Sequence, residues 1–359
     1  MSVLRSPLAL VPVAIALVIF GAVFLLINSS DRDDPASPLP AGVEGLGDES
    51  PNRADGTASP KMGDTEEAAP PQESPEEEPE DAGPERVSFR PEWDFDKVYV
   101  FEQESRTAME VDVPNFGPIR SKTDMAFRME ITCEERPGGG LVSKASYEWI
   151  TLDSEVAGQI TSLDSRNEAD REHAAFAPLA ALLDAELTVI VNEAGEVLRV
   201  KGLPKIRPVP GAQAAMALLN EDTMKEFYSS SFDLQAPEEG VAIGESWETS
   251  TEVPMPPSAT LSVQMENRFN GFKTVGGDSL AEVKVTGFVE LGGEEGAASE
   301  TSVDRSRITG TLLFDPELGQ TRSLETRQEL ALETSTQGMT TQVVTNNTTI
   351  LKLIEVRDR

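Results

Sequence analysis

Residues 125–133 read Met125-Ala-Phe-Arg-Met-Glu-Ile-Thr-Cys133. Met125, Phe127, Met129, Ile131 and Cys133 alternate with Ala126, Arg128, Glu130 and Thr132. A period of two puts the first set on one face of a β-strand and the second on the other. The same period recurs downstream. Leu261, Val263, Met265 and Phe269 alternate with Ser262, Gln264, Glu266 and Arg268. Val283, Val285, Val289 and Leu291 alternate with Glu282, Lys284, Thr286 and Phe288, and Ile308, Leu312 and Phe314 with Arg307, Thr309 and Thr311. Further strands are expected at 98–104, 106–113, 142–152, 246–253, 320–334 and 341–357. Apolar-in, polar-out strands of this length suit antiparallel meanders, which can leave one face wet. The unbroken apolar runs of a parallel α/β sheet are scarce.

Two hairpins can be named. Leu187–Asn192 and Glu196–Gly202 flank Asn192-Glu-Ala-Gly195, and Thr311–Phe314 and Gln320–Leu324 flank Asp315-Pro-Glu-Leu-Gly319. In each an Asx residue opens the turn and a glycine closes it. Helix is the minority. His173–Leu183 reads as a short helix interrupted at Pro178, and Ala212–Tyr228 as one or two helices. The expected fold class is α+β, mainly β. Long antiparallel meander strands form a curved sheet or half-barrel with two short helical insertions. Two similar β lobes, with a boundary near 205–240, are the alternative organisation.

Upstream of the strands the chain changes character. Leu8–Ile27 carries no charge over 20 residues, enough for a helix to cross about 30 Å of hydrocarbon. Arg5 and the α-amino group precede it, and Asp31, Arg32, Asp33 and Asp34 follow. The α-amino charge and the acidic region downstream favour a cytoplasmic N-terminus. The alternative is a cleaved signal peptide. The apolar run is longer than such a region usually is, and it ends LLINSS without a small-x-small site. From Asp31 to Arg86 there are 17 acidic residues, ten prolines and no aromatic residue. Such a segment cannot bury enough apolar surface to offset its ordering entropy. The expected organisation is residues 1–7 in the cytoplasm, 8–27 as a transmembrane signal-anchor, 28–88 as a disordered acidic Pro-rich tether, and 89–359 as an extracytoplasmic β-rich domain. The expected location is the inner (plasma) membrane, or the periplasm or exterior after cleavage.

The formal net charge of −33 argues against nucleic acid and against anionic lipid surfaces as partners. A single cysteine, Cys133, excludes an intramolecular disulfide, and a single histidine, His173, removes most zinc and triad chemistry. His173 is expected at an exposed helix cap, and Cys133 as a buried strand residue. Asp164, Glu168, Asp170 and Glu172 cluster without the glycine and final glutamate of a calcium loop, so they read as a solvated face. Gly138-Gly-Gly140 lacks the lysine of a phosphate loop and reads as a turn. Asn346 and Asn347 each begin a glycosylation sequon, a pattern common by chance. Met109, Met125, Met129, Met216, Met224 and Met265 fall on apolar faces. They suit ordinary core packing, or a lining for an apolar ligand.

Val241-Ala-Ile-Gly-Glu-Ser-Trp247, the hairpin Leu187–Gly202 and the hairpin Phe314-Asp-Pro-Glu-Leu-Gly-Gln-Thr-Arg-Ser-Leu-Glu-Thr326 carry a resemblance. Over roughly Val98–Val356 the chain resembles an uncharacterised family of bacterial envelope proteins, a domain of unknown function with a hydrophobic N-terminus and a β-rich body. The resemblance implies compartment and fold, and no activity. No catalytic, cofactor-binding or metal-binding residue is assigned from the sequence. The expected function is a membrane-tethered, non-enzymatic extracytoplasmic binding or interaction domain. Its partner would be another envelope protein or a lipid. The alternative is a carrier or sensor for an apolar small molecule or lipid.

Overall fold

A computed structural model describes residues 85–113, 117–156, 158–173, 176–193, 197–202, 236–255, 259–293, 299–336 and 339–359. The span Leu8–Ile27, nearly all of the tether, the helix expected at Ala212–Tyr228 and most of the 205–240 boundary lie outside these residues. Among the described residues no helix is long and apolar enough to cross a membrane.

The strands are β1 (Arg86–Val87), β2 (Lys97–Val113), β3 (Gly117–Glu135), β4 (Leu141–Val156), β5 (Gln159–Asp164), β6 (Glu186–Val191), β7 (Val197–Lys201), β8 (Val241–Ala242), β9 (Ser246–Met255), β10 (Ala259–Val275), β11 (Asp278–Gly293), β12 (Ser299–Asp315), β13 (Gln320–Thr336) and β14 (Met339–Asp358). Two short helices, α1 (Glu168–Arg171) and α2 (Ala177–Leu183), sit between β5 and β6. One 12-stranded sheet runs β7-β6-β4-β3-β2-β14-β13-β12-β11-β10-β9, with β5 beside β4. Each of its pairings is antiparallel. The meander β9–β14 returns to the start of the chain where β14 pairs with β2.

The sheet is open, yet it curls. One buried cluster takes in Val197 and Val200 of edge strand β7 and Trp247 of edge strand β9. Between them it gathers Phe101, Phe127, Met129, Phe269, Phe314 and Leu351. A second, smaller cluster of Leu261, Val263, Val289, Ile308 and Leu330 sits elsewhere along β10–β13. The inward faces between these apolar ends are polar. Buried Ser105, Asn347 and Thr349 belong to this belt. Ser105 and Thr107 hydroxyls donate to Asn347 Oδ1, each at 3.1 Å, and Asn347 Nδ2 donates to Thr349 Oγ1 at 3.3 Å.

The outer face near the chain's end is laced by ion pairs. Arg128 reaches Glu148 (2.6 Å), Glu355 (3.3 Å) and Glu102 (3.5 Å), while Arg357 pairs with Glu130. Glu134 takes both Arg359 (2.5 Å) and Lys144 (3.0 Å).

The fold class matches the mainly β expectation, with corrections of detail. The strands expected at 98–104 and 106–113 are one strand, because backbone pairing with β3 and β14 continues through Ser105. The helix expected from His173 starts at Ala177, with Pro178 in its first turn. There proline needs no N–H partner, so it begins the helix and does not interrupt it. The acidic run 164–172 contains α1, capped by Asn167, whose Oδ1 accepts from Ala169 N at 3.1 Å.

Candidate functional site

Before β2 the chain crosses the sheet's end as a strap, residues 85–96. Arg86 and Val87, inside the stretch read as tether, pair with Ala242 and Val241. The Arg86 guanidinium donates to both Glu245 carboxylate oxygens, at 2.7 and 3.2 Å, and to the Gly240 carbonyl. Two residues on, Phe89 is buried against Trp247, Phe269 and Phe314, with ring centroids 5.4, 5.2 and 5.5 Å away. The Glu92 N–H donates to the Gly319 carbonyl at 2.8 Å, and Gln320 Nε2 returns a bond to the Glu92 carbonyl at 2.5 Å. Trp93 stands edge-on to Tyr99 at 4.7 Å, and the Asp94 N–H donates to the Tyr99 hydroxyl at 2.9 Å. Asp94 Oδ1 accepts from Asp96 N, an Asx turn that swings the chain into β2. The Arg359 N–H holds the Asp96 carbonyl from the other end of the chain.

The β12–β13 turn faces the strap. Asp315 Oδ1 accepts from the Glu317 and Leu318 N–H groups at 3.1 and 3.0 Å, and Gly319 takes φ +64°. This is the Asx-and-glycine turn expected from the sequence. Arg322 fastens its base, with Nε 3.1 Å from Asp315 Oδ2 and Nη2 2.6 Å from Asp278 Oδ2.

Strap, turn and strand ends border a half-open pocket of about 430 Å³. Trp93, Phe95, Tyr99, Leu318 and Val356 line it with apolar surface, and Glu92, Asp94, Lys97, Glu135 and Glu317 supply the polar part. Trp93 is 9% exposed, and its indole N–H has no hydrogen-bond partner among the described residues. Lys97 is bonded to Asp358 at 2.6 Å, which raises the lysine above its ordinary value and lowers Asp358. Burial raises the Tyr99 hydroxyl above its ordinary range. The sequence pointed to none of these residues as a site. Its one signal was the acid–aromatic run Glu92-Trp-Asp-Phe-Asp96 just ahead of the first long strand.

The residues weighed from sequence lie elsewhere. Cys133 is buried opposite Ser143, and burial pushes its thiol up to about 12. His173 is exposed beyond α1, where its N–H donates to the Asp170 carbonyl. Asp164 pairs with Arg166 at 2.6 Å, and Asp170 Oδ2 accepts from the Asp164 N–H. Among the described residues no three acidic, histidine or cysteine side chains converge as a metal site. Gly138, Gly139 and Gly140 form the β3–β4 turn at positive φ. Asn346 is exposed and Asn347 buried. Among the described residues the methionines do not gather in one cluster. Met125 and Met129 pack in the main cluster and Met265 in the second, while Met109 is buried in neither and Met216 and Met224 lie outside the described residues.

No family model matches the chain, and no curated protein matches it. Both outcomes accord with the resemblance to a family without an assigned activity. Solved structures with some likeness include lipovitellin, at 12% identity and a TM-score of 0.34, covering 76% of this chain and 26% of that one. The β domain of a Bordetella autotransporter shares 8% identity at a TM-score of 0.22, covering 71% of this chain and 99% of that one. An outer membrane channel from Pseudomonas putida F1 shares 7% identity at a TM-score of 0.20, covering 78% and 100%. The chain thus spans about a quarter of lipovitellin's length.

Proposed function

We propose that this chain is a non-enzymatic binding domain, held outside the cytoplasm by Leu8–Ile27 and the acidic segment that follows. It receives a ligand, or a side chain of an envelope partner, beneath the strap. One observation supports the reading: a half-open pocket of about 430 Å³ sets the partly exposed Phe95, Leu318 and Val356 beside a carboxylate rim of Glu92, Asp94, Glu135 and Glu317, at the site where residues 85–96 lock onto the sheet. The rim offers charge and hydrogen bonding without a nucleophile–base pair, so it suits recognition better than turnover. The second reading is a carrier or sensor for an apolar small molecule or lipid; Met125 and Met129 pack in the main cluster and Met265 in the second, which supports ordinary core packing for those three.

Two measurements test the reading. A phosphatase fused after Arg359 should be active only if the C-terminus lies outside the cytoplasm; an inactive fusion overturns the placement. Native mass spectrometry of the full-length chain, extracted from its host in mild detergent, should show a bound molecule or partner. That mass should be lost from Leu318→Trp, which fills the cavity. A wild-type chain and a Leu318→Trp chain with the same bound components would overturn the binding role.

A further inference from the structure

We infer that the outer edge of β5 takes up an extended peptide strand that carries a basic side chain two residues before an apolar one. This surface lies apart from the pocket beneath the strap. Strand β5 pairs with Thr151–Val156, at the far end of β4 from the Leu141 that faces Glu135.

The backbone supplies the first observation. Strand β5 has β4 on one side and no strand on the other. The Ser165 N–H donates to the Ile150 carbonyl at 2.9 Å. Backbone groups alternate in direction along an antiparallel strand, so those of Leu163 and Thr161 also face β4, and those of Asp164, Ser162 and Ile160 face away. The chain satisfies Asp164 itself. Its N–H donates to Asp170 Oδ2 at 3.0 Å, and its carbonyl accepts from the Asn167 N–H at 2.9 Å. Ile160 and Ser162 have no such partner among the described residues, and both are exposed. Their two N–H and two C=O groups form an open ladder edge.

The second observation is that this edge is unguarded. Sheet edges are commonly blunted by charge or proline. Strand β9 carries Glu248, Glu252 and Pro254, and β7 carries Arg199 and Lys201. Gln159–Leu163 has neither charge nor proline. Ile160 is 78% exposed, the most of any large hydrophobic among the described residues. An added strand sets a side chain beside Ile160 and covers it.

Charge then selects the partner. Asp153 stands opposite Ser162 and accepts from its hydroxyl at 2.5 Å. On its other side Asp153 stands opposite Asp124, and like charges so placed are destabilising. Arg106, opposite Asp124, is engaged with Glu104 at 3.5 Å, and Lys122 stands opposite Glu155. The charge left over is therefore at Asp124 and Asp153. A lysine or arginine paired with the small Ser162 spans the serine to Asp153. In an antiparallel partner the residue paired with Ser162 precedes by two the residue paired with Ile160, which gives the order basic-x-apolar. A second copy of the chain fits less well, because it sets two molecules of net charge −33 side by side.

Fluorescence anisotropy tests this, with the full-length chain in mild detergent at low ionic strength and the labelled peptide Thr-Lys-Thr-Val-Thr-amide. Binding should saturate below about 1 mM. N-methylation of the peptide's valine, whose N–H donates to the Ile160 carbonyl, should weaken binding about tenfold. Ile160→Pro removes only an outward N–H and leaves the pairing with β4 intact, and should weaken it at least as much. Ile160→Lys, which guards the edge without touching the backbone, should do the same and is the variant to read if the proline unfolds the chain. Asp153→Asn should cost several-fold, less in high salt, and a peptide with glutamate for lysine should not bind. Equal binding of the methylated peptide overturns strand addition. Equal binding of the glutamate peptide overturns the basic partner. No binding below about 1 mM overturns the inference. So does a dimer, seen by sedimentation and lost in Ile160→Lys, that leaves the peptide unbound: the edge then belongs to a second copy.

Discussion

Gly319 lies so close to Glu92 that a Cβ on the glycine would sit 2.7 Å from the Glu92 Cβ. The contact is fixed from both sides, by the Glu92 N–H on the Gly319 carbonyl and by Gln320 on the Glu92 carbonyl. Gly319 also holds φ +64°, which side chains rarely adopt. Gly319→Ala should therefore cost about 1–3 kcal/mol from the backbone alone, and should push the strap off the turn. Urea unfolding with a midpoint shift too small to resolve would show that the strap does not seat there.

Phe89 is the strap's main apolar anchor, enclosed by Trp247, Phe269 and Phe314. Phe89→Ala removes a fully buried ring and should destabilise by about 3–5 kcal/mol. Trp247 emission should shift to the red as water reaches it. A loss under about 1 kcal/mol would mean that the strap folds back without its anchor.

These contacts explain what the sequence could and could not reveal. The alternation at 125–133 declared β3 because its inward side chains are apolar over that stretch. In β2 the pattern breaks at Gln103, Ser105 and Thr107, so one strand of 17 residues read as two. The backbone pairs throughout, and the inward face merely turns polar where it meets Asn347. The early part of β12 was missed for a related reason: a bulge between Val303 and Arg305 resets the alternation within a polar stretch. The Asp315–Gly319 turn was legible because its chemistry is local. The cavity was not, since residues 92–99, 135, 317–318 and 356 meet only through the sheet. No spacing rule joins them.

Cys133 gives an alkaline prediction. Burial is the leading cause that lifts its thiol from the ordinary 9.0 to about 12. The folded state thus favours the protonated form. The stabilisation is complete below the unfolded value near 9 and is lost as pH climbs toward 12. Native protein at neutral pH should resist thiol reagents, and labelling should follow global unfolding. Rapid labelling without unfolding would contradict the burial.

Glu134 gives the acid counterpart. Arg359 first, then Lys144, hold its carboxyl below the ordinary carboxylate value. A lowered folded value adds stability above the unfolded value, lost as pH falls through the folded one. Glu134→Gln should lower the melting temperature slightly at neutral pH. The difference should fade as pH falls through the lowered folded value, and in high salt, as expected of an exposed pair. A gap that persists in acid would assign the effect to packing.

Gln103 is the reverse case, a residue whose removal should help. It is 1% exposed, between Phe127 and Leu351 on the inward face, and neither its amide nitrogen nor its oxygen has a partner among the described residues. An unsatisfied buried polar group costs about 1–3 kcal/mol. Gln103→Met keeps the length and most of the volume while removing the amide. It should raise stability by about 1–2 kcal/mol in urea unfolding, with an unchanged m-value. Asn347→Leu, two inward positions further along β14, should do the opposite, because Ser105 and Thr107 lose their common acceptor. If Gln103→Met destabilises as well, the amide is satisfied in solution by a group such as buried water, and the belt is one continuous hydrogen-bonded network across β2 and β14.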